Sequence, residues 1–200
     1  MLVGIGLGPG DPELITIKAI KTIKQSKKVY VPGRIAAKLV EPYADAEILE
    51  FPMIQDKKIL AKYWKINADI IAKDAEHSLV SFCSVGDPNF FSTFNHIRRV
   101  IEENYPNVII KTIPGVSSIT AFASRINVGI SESFEVSDGS IVNSKIILKA
   151  KKINIENLKK EGYTKFILAK QLFSENESVI TLKDSETVED YFSILYAKKG

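Results

Sequence analysis

This 200-residue chain is poor in the residue types that build disulfide or Cys/His metal frameworks: one cysteine (Cys83) and two histidines (His77 and His96). A single cysteine excludes an intrachain disulfide, and with only two histidines it cannot complete a Cys/His metal cluster. Any metal is therefore expected to arrive on a ligand, with none held by the protein. An excess of one charge is also lacking. The 27 Lys and Arg against 24 Asp and Glu leave a net charge of +3, and no basic stripe with interleaved aromatics runs along the chain, so nucleic acid is not an expected partner. No apolar run approaches the roughly 18 residues that cross a bilayer, and Met1-Leu2-Val3-Gly4 opens as a strand rather than a charged leader. A cytoplasmic protein without a membrane partner is expected.

What is present is the composition of a folded domain or two: 45% hydrophobic and 26% charged residues suffice to bury a core. The first half has a βα rhythm. Leu2–Leu7, Val29–Val31, Glu47–Phe51, Ser78–Cys83 and Val108–Ile113 read as strands; Thr16–Ile23, Ile35–Glu41, Ile59–Ala75 and Phe90–Glu103 read as helices. Strands alternating with helices predict a largely parallel sheet. Beyond Pro114 the texture changes. Ser117–Arg125 reads as a helix, followed by short strand candidates at Phe134–Val136, Lys145–Lys149, Phe166–Ala169, Ser178–Leu182 and Phe192–Ala197 with Lys-rich connections. The expectation is a two-domain α/β protein, 1–113 mostly parallel and 114–200 with a mixed sheet.

Two loops punctuated by glycine and proline stand out, Gly4-Ile5-Gly6-Leu7-Gly8-Pro9-Gly10-Asp11-Pro12 and Cys83-Ser84-Val85-Gly86-Asp87-Pro88. Each follows an apolar run and precedes a helical stretch, where α/β proteins present backbone amides to ligands. Neither loop is a Walker A sequence, because no Lys followed by Ser or Thr closes it. The dinucleotide fingerprint fails too: a third glycine is required at position 9 or 11, and Pro9 and Asp11 stand there. Taken singly, each loop reads equally as a tight turn.

Three ordered segments carry a resemblance: Gly4-x-Gly6-x-Gly8-Pro9-Gly10-Asp11-Pro12-Glu13-Leu14-Ile15-Thr16, Gly86-Asp87-Pro88, and Ile113-Pro114-Gly115-Val116-Ser117-Ser118. In these the chain resembles the tetrapyrrole (corrin/porphyrin) methylases, S-adenosylmethionine enzymes of cobalamin and sirohaem synthesis. Phe51-Pro52-Met53 with Asp56 and Trp64, Asn89-Phe90-Phe91-Ser92-Thr93-Phe94, and Tyr191-Phe192-Ser193-Ile194-Leu195-Tyr196 resemble the branch that methylates C-20 of precorrin-2 or cobalt-factor II. Ser92-Thr93 decides that choice over C-5 or C-11 enzymes, which carry a Gly-Asp-Pro-x-x-Tyr/Phe-Gly pattern. Other outcomes of the resemblance are C-11 or C-5 specificity, a different acceptor such as a modified histidine or ribosomal RNA, or a tetrapyrrole-binding protein without turnover.

The resemblance implies a homodimer with S-adenosylmethionine in a cleft between two domains. Carried over by residue, Pro9, Val85, Gly86, Asp87, Phe90, Ser92, Thr93, Ser117, Ser118, Leu148, Ala150 and Lys170 bind the cofactor, the last three within the segments Leu148–Ala150 and Ala169–Gln171. Gly8, Asp11, Arg34 and Lys38 face the tetrapyrrole, whose carboxylates suit arginine forks; Lys57, Lys58, Arg98 and Arg99 are further cations on the same domain. Ser117-Ser118 and Asp11 read equally as helix caps. Asp11, Tyr30 or a substrate carboxylate accepts the meso proton. Related uroporphyrinogen methylases have an Asp near the place of Pro32, so no catalytic Asp is carried over there. His96 and His77 read as packed or exposed side chains rather than as cobalt ligands. The second domain is shorter than C-20 enzymes usually have, which implies a reduced roof over the cofactor.

Overall fold

The computed structural model describes residues 1–52, 54, 56–137, 139–150, 153–182 and 193–200. They form two compact units, Met1–Phe134 and Glu135–Gly200. Met53, Tyr191 and Phe192, which belong to the C-20 resemblance, lie outside the described residues.

In the first unit, β1 (Leu2–Gly6), β2 (Lys28–Val31), β3 (Glu47–Ile48), β4 (Val80–Ser84) and β5 (Ile110–Ile113) make a sheet in the order β3-β2-β4-β1-β5. All neighbours are parallel. β1 and β4 are buried along their whole length, as strands covered on both faces must be. Helices α1 (Ile17–Gln25) and α2 (Arg34–Val40) contribute Ala19, Ile23, Ala36 and Leu39 to a core with Val3, Ile5, Val29, Val31 and Cys83. The alternate strand residues Leu2, Tyr30 and Phe82 pack instead with Ala68, Ile71, Ile97 and Ile101 from α3 (Lys57–His77) and α4 (Phe94–Asn104). The period-2 alternation of the strands thus feeds two cores, each fully buried Leu, Ile or Phe contributing about 1.5–3 kcal/mol. Thr16 and Asp56 start α1 and α3, their side chains accepting from the N–H of Ala19 at 3.1 Å and of Lys58 at 2.8 Å. Helix α5 (Ser118–Arg125) follows β5.

The second unit holds β6 (Ser144–Leu148), α6 (Ile155–Lys160), β7 (Tyr163–Lys170), β8 (Ser178–Leu182) and β9 (Ser193–Lys199), with sheet order β6-β9-β7-β8. Ile155 and Leu158 of α6 pack on Phe166, Leu168 and Leu195. Every pairing among the described strands is antiparallel, where a mixed sheet is expected. The connection between β7 and β8 is too short for the crossover that a parallel return needs.

Three elements depart from the sequence reading in kind or extent, and the helix expected over Phe90–Glu103 starts four residues later, at Phe94. Glu47–Phe51 narrows to Glu47–Ile48 because β2, its single partner, ends at Val31 before Pro32. Phe134–Val136 is not a strand; Phe134 and Val136 are both exposed and no strand pairs with them among the described residues. Helix α6 was hidden in a Lys-rich connection, although Asn154 caps it by accepting from the Asn157 N–H at 3.1 Å and Gly162 follows it.

Candidate active site

The three glycine segments leave the carboxyl ends of adjacent strands: 7–12 after β1, 85–88 after β4 and 114–117 after β5. In open α/β sheets this is the edge where ligands bind. The loops are fastened to each other by backbone. The Leu7 N–H donates to the Ser84 carbonyl at 2.9 Å, the Gly86 N–H to the Gly8 carbonyl at 2.7 Å, and the Gly8 N–H to the Gly86 carbonyl at 3.3 Å. The third loop joins through Asp87, buried at 7% exposure, whose Oδ2 accepts the Gly115 N–H at 3.1 Å. Its Oδ1 accepts the Asn89 N–H at 2.8 Å.

Glycine is required here for space. A Cβ on Gly6 would stand 2.5 Å from the Gly115 nitrogen and 2.6 Å from the Gly86 carbonyl oxygen, and a Cβ on Gly115 would collide with that same oxygen. At Gly86 the requirement is conformational: φ is +78° and an added Cβ would meet open space. The backbone at Val85-Gly86 is therefore approachable, and Val85 is itself 41% exposed.

An open groove of about 320 Å³ lies at the carboxyl ends of β2 and β4, lined by Pro32, Gly33, Arg34, Ile35 and Ala36, by Ser84 and Val85, and by Phe91, Ser92 and Thr93. It brings together four residues picked from the sequence, Arg34, Val85, Ser92 and Thr93. Ser92 is fixed: its Oγ lies 3.2 Å from Ser84 Oγ and accepts the Phe94 N–H at 3.2 Å. Lys38, one turn beyond Arg34, is exposed outside the groove lining. Pro9 is half-buried, and Asp11 is exposed with Oδ1 accepting the Glu13 N–H at 2.9 Å, the cap of a short 3-10 turn. Ser117 caps α5, its Oγ accepting the Ile119 N–H at 3.1 Å, and Ser118 is the first, exposed residue of that helix. Phe90 is 46% exposed beside Asp87, its N–H donating to the Asp87 carbonyl.

Within the second unit, the segments picked as cofactor contacts meet at one end of the sheet. Leu148 pairs with Ile194, Ala169 pairs with Ile194, and Lys170 pairs with Ser193, so β9 joins the two. The Ala150 N–H donates to the Ser193 carbonyl at 3.0 Å. Both segments leave their strands through left-handed residues, Lys149 at φ +51° and Gln171 at φ +47°.

The family model for Tetrapyrrole (Corrin/Porphyrin) Methylases matches residues 1–190. The chain belongs to this family. A probable cobalt-precorrin-2 C(20)-methyltransferase of Methanocaldococcus jannaschii is 30% identical over 224 aligned positions, covering 98% of this chain and 95% of the relative. A uroporphyrinogen-III C-methyltransferase of the same organism is 35% identical over 58% of this chain and 48% of its own. Among solved structures, a precorrin-6Y methylase from Archaeoglobus fulgidus shares the fold with a TM-score of 0.51 at 23% identity, covering 100% of this chain and 97% of the other.

Two further residues weighed in the sequence of this tetrapyrrole methylase, Tyr30 and His96, also lie outside the groove lining. Tyr30 is withdrawn as proton acceptor: it is 1% exposed, and its hydroxyl donates to Asp74 Oδ2 at 2.5 Å. Burial first, then that hydrogen bond, hold the phenol well above its ordinary range. His96 of the methylase stacks flat on Trp64, ring centroids 3.9 Å apart, and burial lowers its pKa. The sequence reading missed Pro32, Gly33, Ile35, Ala36, Ser84 and Phe91 as groove residues. Pro32-Gly33 was legible as the stop of β2; Phe91 had no local signal, since its left-handed φ of +48° is set by its neighbours.

Proposed function

We propose that the chain transfers a methyl group from S-adenosylmethionine to C-20 of precorrin-2 or cobalt-factor II in cobalamin biosynthesis. The observation that carries this reading is the groove itself, which Arg34 lines together with the exposed apolar residues Ile35, Phe91 and Val85. A largely apolar macrocycle bordered by carboxylates has that mixture of surfaces. The C-20 position is supported by the relative similar over nearly its full length.

The residues fit the cofactor by the approachable Val85-Gly86 backbone. Val85, Gly86 and Asp87 hold it with Pro9, Phe90, Ser92, Thr93, Ser117 and Ser118. When bound, S-adenosylmethionine supplies a methyl group on a sulfonium. The protein's part is alignment and exclusion of water. Arg34 takes an acceptor carboxylate, with Gly8 and Lys38 as further acceptor contacts. The bonds among the three loops fix the groove wall before any ligand arrives. The meso proton passes to a substrate carboxylate or to Asp11, whose Oδ1 is engaged by the Glu13 N–H. We place the protein in the cytoplasm as a homodimer, as its resemblance to the family implies; among the described residues no helix is long and apolar enough to cross a membrane.

The relative at 35% identity favours a second reading, methylation of uroporphyrinogen III. Anaerobic incubation with methyl-labelled S-adenosylmethionine and each tetrapyrrole in turn separates the two. Label is expected in precorrin-2 or cobalt-factor II; label only in uroporphyrinogen III supports the second reading, and S-adenosylmethionine binding without transfer to any ring contradicts both.

A further inference from the structure

Phe91 is the one groove residue whose backbone and side chain disagree. Its φ of +48° lies in the left-handed region, which an aromatic residue adopts at a cost and glycine adopts freely. The conformation is imposed from both sides. Before it, the Asn89 N–H is held by Asp87 Oδ1 at 2.8 Å and the Asn89 carbonyl accepts from Asn95 Nδ2 at 3.1 Å. After it, Ser92 Oγ is fixed between Ser84 Oγ and the Phe94 N–H. The turn would be better served by glycine, yet it carries a ring that is 72% exposed and buries little in return. Strain retained at an exposed aromatic beside a groove points to a contact made with a ligand.

The ring shares the groove with Arg34, Ile35 and Thr93. We propose that Phe91 is the stacking platform of the acceptor site, laid against one face of the macrocycle while Arg34 takes one of its carboxylates. The proposal rests on the groove being the tetrapyrrole site. Because two pinned residues flank Phe91, the platform is set before the ligand arrives, and it fixes which edge of the macrocycle lies toward Val85 and Gly86. Phe91 is thus a determinant of which ring carbon is presented.

The test uses the full chain and uroporphyrin, a stable flat tetrapyrrole bearing carboxylates, titrated by its absorption band. Phe91→Gly removes the ring and relieves the backbone, so its melting temperature is expected to equal or exceed that of the wild type. Its uroporphyrin affinity is expected to fall roughly tenfold, with Phe91→Trp restoring it and S-adenosylmethionine affinity unchanged in both. A Phe91→Gly protein that binds uroporphyrin like the wild type overturns the stacking role. A wild type that binds S-adenosylmethionine and no uroporphyrin overturns the reading of the groove on which it rests.

Discussion

The Asp87 carboxylate spans two glycine loops, accepting the Gly115 N–H on one oxygen at 3.1 Å and the Asn89 N–H on the other at 2.8 Å. A buried side chain therefore ties the segment after β5 to the turn that builds the groove wall. Asp87→Ala leaves both amides without their acceptor. The expected loss is about 3 kcal/mol in urea unfolding, with Asp87→Asn losing less because one carbonyl oxygen remains. A loss below about 1 kcal/mol for the alanine variant would show that water replaces the carboxylate.

Substituting the glycines separates steric from conformational need. Gly115→Ala drives a Cβ into the Gly86 carbonyl and is expected to cost about 1–3 kcal/mol. Gly86→Ala has room but a φ of +78°, and about 1–2 kcal/mol is expected. Gly33, extended and with no atom within 4 Å of an added Cβ, should accept alanine within about 0.5 kcal/mol. Equal losses at all three positions in thermal unfolding would contradict the packing described.

Alkaline stability follows from Tyr30 and Cys83. Burial first, then Asp74, raises the Tyr30 pKa, and burial raises that of Cys83. For each group the folded state favours the protonated form, so its contribution is present at neutral pH and is lost as pH rises, from about 8.5 for the thiol and about 10 for the phenol. Tyr30→Phe should lower stability by about 1 kcal/mol at pH 7 and flatten the decline above pH 10. A decline of unchanged steepness in that variant would place the alkaline loss elsewhere.

His96 gives the acid counterpart. Burial first and the Arg99 charge second lower its pKa, so the folded state favours the neutral ring; the stability this adds above about pH 6.5 is lost as pH falls through the folded pKa. Trp64, the single tryptophan, stacks on it. Its fluorescence should titrate with a midpoint below 6.5, and His96→Gln should abolish the transition. A midpoint at or above 6.5 contradicts the packing of that pair.

Much of this was legible in the residues because local pattern and tertiary need agree. The apolar runs Leu2–Leu7 and Ser78–Cys83 mark fully buried strands, and Gly4 to Thr16 spells a strand, a turn and a capped helix in sequence. Less was legible where pairing partners decide. β3 stops at Ile48 because β2 stops at Val31, and Phe134–Val136 has β-forming residues but no paired strand among the described residues. Tyr30 could not be told from an active-site hydroxyl, since its hydroxyl donates to Asp74, 44 residues away. Ser117 satisfies the capping pattern, and its role as cap is compatible with ligand contact.

The most direct test of the account is the position of the new methyl group. With carbon-13 methyl-labelled S-adenosylmethionine and either precorrin-2 or cobalt-factor II under anaerobic conditions, NMR of the product should place the label at C-20, and the ring preferred identifies whether cobalt is already present. Arg34→Ala should raise the KM for that ring with little change in kcat, as expected for loss of a binding contact. Label at any other carbon would contradict the assignment of this methylase to C-20.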